Sequence, residues 1–158
     1  MKHSLKTGLG FGVTSGSITT LGLLVGLHSG TYSELAIIGG ILTIAIADSC
    51  SDALGIHVSK EFEDRDSTKS VWESTIITFF TKFLIALSFV VPVLFLPLST
   101  AVIVGVVWGL SILAGFSYFV AKQIKANPFK VVAEHLFIAI VVLLASRWVG
   151  LLINKFFV

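Results

Sequence analysis

The chain has 158 residues, 55 % of them hydrophobic and only 13 % charged, with a formal net charge of +2 and a mean hydropathy of +0.98. An ordinary soluble domain carries about 25 % charged residues, so the composition excludes that class, and so small a positive charge gives no case for nucleic acid. The single cysteine, Cys50, excludes an internal disulfide and a zinc cluster built from cysteines.

Five apolar runs are long enough to cross the hydrocarbon of a bilayer, which takes about 20 residues as a helix. The predicted fold class is therefore all-α: an integral membrane bundle of five transmembrane helices forming one domain over residues 1–158. The first span runs from about Leu9 to Leu27. Lys2 and Lys6 precede it as in a signal peptide, but no A-x-A-like site follows, so it is expected to be a retained helix. Its glycines at four-residue spacing, Gly8, Gly12 and Gly16, then Gly22, Gly26 and Gly30, suit close helix packing in lipid, within the bundle or across a dimer.

The second span, Leu35 to Val58, holds the most informative residues. Asp48 and Asp52 stand four apart inside it, so they share a helix face. A central aspartate costs roughly 2.5–3.5 kcal/mol on insertion scales and faces a bundle interior or a water-filled path. Two carboxylates on one face can share a proton or a cation, which points to transport. Hydrogen bonding to Ser49, Ser51 or a neighbouring helix is the bland alternative.

A polar linker over 59–74 follows. Its acids Glu61, Glu63, Asp64 and Asp66 interleave with Lys60, Arg65 and Lys69, which reads as a solvated segment with weak local ion pairs. The third span runs from about Thr75 to Leu96, opened by Trp72, Glu73 and Lys82, of which Lys82 is expected to snorkel or pair, and with Pro92 and Pro97 marking its end. The fourth runs from about Thr100 to Ala121, the fifth from about Val131 to Ile153. Asn127-Pro128 suits the start of the fifth, a cap followed by a proline at the first helical position. Arg147, deep in that helix, should seek a carboxylate or backbone carbonyls.

Lysine and arginine gather before the first span and in the second-to-third and fourth-to-fifth connections; Lys155 alone lies on the other side. That asymmetry predicts a cytoplasmic N-terminus. The expected location is the cell (plasma) membrane, as a multi-pass protein. No nucleotide-binding P-loop occurs, so any active transport would run on an ion gradient. An intramembrane hydrolase built on Ser15 with His57 or His135 has only a serine beside glycine to support it, so no enzyme is expected.

Three stretches together carry a resemblance. GVTSGSITTLGLLVGLHSG from Gly12 to Gly30, SDALGIHVSKE from Ser51 to Glu61 and ALSFVVPVLFLPL in the third helix are similar, in order, to the vacuolar iron transporter family, in its short nodulin-like and prokaryotic form. The resemblance implies a homodimeric five-helix transporter that exchanges divalent iron or manganese for protons, needs no cofactor and lacks the cytoplasmic metal-binding insert. The ligands depart from that pattern. Ser15 stands where the family has an aspartate, Asp52 where it has a methionine, Ile56 and His57 where it has glutamate and tyrosine, and Ile44 at a further acidic position. Asp48 has no counterpart. The expected metal site is thus Asp48, Asp52, Ser15 and Ser51, with help from Thr14, an oxygen-rich set that suits harder ions than methionine sulfur does. The same residues also suit a proton site without metal. The alternative function is a non-transporting membrane scaffold that keeps the transporter-like fold.

Overall fold

In a computed structural model, described over residues 3–63 and 67–157, the chain is all helix: α1 His3–Thr31, α2 Glu34–Phe62, α3 Thr68–Ser88, α4 Val90–Phe95, α5 Leu98–Gln123 and α6 Pro128–Phe157. α3 and α4 make one span, so five helices are long and apolar enough to cross a membrane. Lys2, Asp64, Arg65 and Asp66 lie outside the described residues.

Each expected span is present, but each is longer than its apolar core. Within the polar stretch expected over 59–74, α2 continues to Phe62 and α3 starts at Thr68. Polar residues beyond the hydrocarbon keep the helical ladder, and the reversal is cut short by a cap, Ser67 Oγ accepting from the Ser70 amide at 3.3 Å. The start of α6 is as the sequence indicates. Asn127 Oδ1 accepts from the amides of Phe129 (3.0 Å) and Lys130 (3.4 Å), two of the orphan donors of a helix start. The third span reaches Phe95, close to its expected end at Leu96, but it is interrupted at Phe89. Pro92 has no N–H for the Ser88 carbonyl, and the Phe89 amide turns instead to Ala86 at 3.1 Å.

α1 is the central element and packs against α2, α3, α5 and α6. Its glycine stripe divides between two neighbours. A Cβ added at Gly8 or Gly12 would meet Ile77 or Thr81 of α3 at 2.7 Å, and one at Gly16 the backbone of Lys82 at 3.3 Å. Further along, Gly22 faces Ser146 at 3.0 Å and Gly30 faces Gly150 at 3.3 Å, both on α6; a Cβ at Gly150 would overlap the Gly26 carbonyl. The stripe is thus occupied by contacts within the chain. Large apolar side chains such as Leu35, Phe95 and Phe137 point outward, as lipid-facing positions do. The inner cluster is smaller, with Leu21, Leu24, Ile37, Ile41, Phe89 and Val93 fully covered.

Candidate functional site

Four polar side chains from three helices meet at the middle of the bundle. Asp48 is the central residue of α2, equally far from Glu34 and Phe62. Lys82 sits at the centre of the Thr68–Phe95 span, and Ser15 near the middle of α1. The Lys82 ammonium, on a side chain only 3 % exposed, bonds Asp52 Oδ2. It also lies 2.5 Å from Asp48 Oδ2. Ser15 Oγ donates to Asp52 Oδ2 at 2.6 Å and accepts from Lys82 Nζ at 2.9 Å, which closes a ring of three partners.

The two carboxylates are not equivalent. Asp52 is held by a hydroxyl and an ammonium. Asp48 Oδ2 has the charge contact without hydrogen-bond alignment, and among the described residues it has no hydrogen-bond partner. Local geometry explains the pairing. One turn of α2 places both acids on the face toward α3, and Gly16 lets α1 close on the Lys82 backbone, which brings Ser15 within reach. In a low-dielectric interior, each unpaired charge costs several kcal/mol, so mutual pairing decides where these side chains go.

Two residues of the expected metal set lie outside this cluster. Ser51 is exposed because it is turned about 100° around α2 from Asp52. Thr14 bonds its own helix, donating to the Gly10 carbonyl at 2.7 Å. Asp48, Asp52 and Ser15 do come together, but around the ammonium of Lys82. Among the described residues no group of three or more His, Cys, Asp or Glu is arranged to hold a metal ion. Lys82 is the residue that sequence reasoning underweighted. Its signal was available: a lone lysine at mid-span, with two carboxylates at mid-span in the preceding helix.

Other expected residues have local roles. His57 Nδ1 shares a hydrogen bond with Thr75 Oγ1 at 3.0 Å and packs edge-on to Trp72. It lines one groove together with Cys50. His135 Nδ1 bonds Ser117 Oγ at 2.7 Å; neither histidine bonds Ser15. Glu61 and Glu63 make neighbouring contacts within α2 and its end, with His57 at 3.4 Å and Lys60 at 3.9 Å. No protein-family model, curated protein or solved structure matches the chain.

Proposed function

We propose that the chain is a secondary transporter that exchanges a cation for protons at Asp48, Asp52 and Lys82, with a divalent metal ion, iron or manganese, as its cargo. The observation that supports this most is an ion cluster around a buried lysine, at mid-height in a bundle of apolar helices. Ionisable side chains at that depth mark ion and proton paths, and secondary transporters hold their substrates near the midplane.

Charge counting gives the exchange a form. Two carboxylates against one ammonium leave one negative charge, which one further proton balances. A divalent cation that takes both carboxylates displaces that proton and one from the ammonium, and Lys82 remains as the neutral amine. One divalent ion enters, two protons leave, and the buried charge is unchanged. Asp48, Asp52 and Ser15 would supply three oxygens, and water the remaining coordination, a set that favours manganese-like hard ions over softer ones. The choice of iron or manganese rests on the family resemblance. Lys82 acts here as a tethered cation that keeps the site charge-paired when no metal is bound.

One observation favours a second reading. Lys82 already bonds Asp52 and makes an ion-pair contact with Asp48, and such an ion cluster can serve to fix helix register. The chain would then be a non-transporting scaffold. Flux in sealed proteoliposomes separates the two. With manganese or ferrous iron outside and a proton gradient imposed, the transporter moves metal and protons in opposite directions. Asp52→Asn abolishes that flux, and Asp48→Asn weakens it less. No metal-coupled proton movement in the wild-type protein, or native flux and pH dependence in Asp52→Asn, overturns the proposal in favour of the scaffold.

A further inference from the structure

A second polar site lies at the opposite end of the bundle from the N-terminus, where α1 ends and α5 begins. A cavity of about 590 Å³ opens there between α1, α5 and α6. Its polar lining comes from His28 and Ser29 of α1, Tyr32 and Ser99 at the rim, and Arg147 of α6. Its remaining wall is aliphatic, including Val102, Ile103 and Val106 of α5.

Arg147 is exposed on a membrane helix, and among the described residues no carboxylate pairs with it. The sequence led to the expectation of a carboxylate or backbone carbonyls as partners; in the structure Arg147 lines this cavity. His28 Nε2 is shut off from solvent and has no hydrogen-bond partner among the described residues. Tyr32 and Ser99 bond each other at 2.7 Å, which ties the chain reversal after α1 to the start of α5 beside the cavity. The lining holds no aspartate or glutamate. An exposed arginine with no carboxylate partner, together with serine and histidine among aliphatic residues in one lining, makes a receptor for an anionic head on an apolar tail.

We propose that this cavity binds the phosphate head of an anionic phospholipid, with Arg147 as the principal contact and an acyl chain laid along α5. Depth fits that ligand. Arg147 stands ten residues before the end of α6 at Phe157, about 15 Å along the axis, and its long side chain reaches toward the headgroup layer as membrane arginines do. His28 is three residues from the end of α1 at Thr31. The planar guanidinium fork matches phosphate oxygens in a bidentate way. Net charge selects among lipids. A zwitterionic choline head would bring a second cation into a lining with no carboxylate to receive it, whereas a phosphatidylglycerol head brings only the anion. This site is independent of the ion cluster and of the transport reading.

Native mass spectrometry of the full chain, extracted from vesicles of equal phosphatidylglycerol and phosphatidylcholine, tests it. Wild type retains one phosphatidylglycerol per chain in preference to phosphatidylcholine. Arg147→Gln loses about tenfold or more in phosphatidylglycerol affinity, the loss expected for one charge-assisted hydrogen bond, and leaves the weak phosphatidylcholine binding unchanged. Tryptophan-fluorescence melting of each variant reports folding. Should Arg147→Gln not fold, Arg147→Lys and Ile103→Trp decide: the first removes the fork, the second fills the aliphatic wall, and each weakens phosphatidylglycerol binding. Equal retention of the two lipids overturns the proposal. So does phosphatidylglycerol binding that ignores both residue 147 and residue 103. Displacement of the lipid by millimolar inorganic phosphate also overturns it, in favour of a site for soluble anions.

Discussion

Replacing Lys82 with methionine removes the ammonium and keeps most of the stem. Asp48 and Asp52 are then left facing each other beneath a buried apolar side chain. Breaking a buried pair by deleting one partner costs about 3–5 kcal/mol. Because the side chains of Asp48 and Asp52 keep 30 % and 20 % exposure, the lower end of that range, about 3 kcal/mol, is expected. That is a large share of the roughly 5–15 kcal/mol that holds a typical domain. Unfolding in mixed micelles of rising denaturing-detergent content, followed by the fluorescence of Trp72, Trp108 and Trp148, measures the loss. The double variant Lys82→Met with Asp52→Asn should recover part of it, since contacting partners show coupling of about 0.5–3 kcal/mol. If a divalent ion takes the vacated place, manganese at a hundredfold its dissociation constant restores about 2.7 kcal/mol to Lys82→Met. A Lys82→Met protein within about 0.5 kcal/mol of wild type, as for a plain surface substitution, would refute the pairing. Strict additivity of the two single losses would refute it equally.

Further outcomes follow from the same contacts. Gly150→Ala should destabilise by at least about 1–3 kcal/mol, because its methyl would overlap backbone of α1. Gly115→Ala, with nothing within 4 Å of the new methyl, should gain up to about 1 kcal/mol from helix propensity; the same unfolding assay reads both. Reporter fusions after Lys69 and Lys125 should report cytoplasm and one at the C-terminus the far side; a cytoplasmic C-terminal reporter refutes that topology. Mass photometry in lipid nanodiscs should count two chains, the homodimer expected from the family resemblance, and a uniform single chain refutes it.

The residues that made the fold legible are those whose signal is local. Apolar run length located all five spans, and Asn127-Pro128 located the start of α6 to the residue. The two aspartates announced a buried polar face by their spacing alone. What stayed hidden depends on contacts between helices. Lys82 reaches Asp52 across a separation of 30 residues, and no periodicity in either helix records that distance. Ser51 was named by sequence proximity, and helical rotation sets it on another face of α2 from Asp52. The glycine stripe declared a close interface without naming its partner, because a glycine specifies only that something comes near. Arg147 was expected to find a partner within the chain, and the structure opens it to a cavity instead.

The division of the glycine stripe has a mechanical consequence. The half of α1 up to Gly16 is seated on α3, and the half from Gly22 onward is seated on α6, with the Thr81 side chain too close for a methyl at Gly12 and the α1 backbone too close for one at Gly150. α1 therefore works as a crossbar clamped at both ends to different posts. Relative tilt between α3 and α6 cannot be taken up by sliding at either clamp. It has to pass through the short stretch from Ser17 to Leu21, directly beyond Ser15, so bending there leaves Ser15 and Lys82 together on the side clamped to α3.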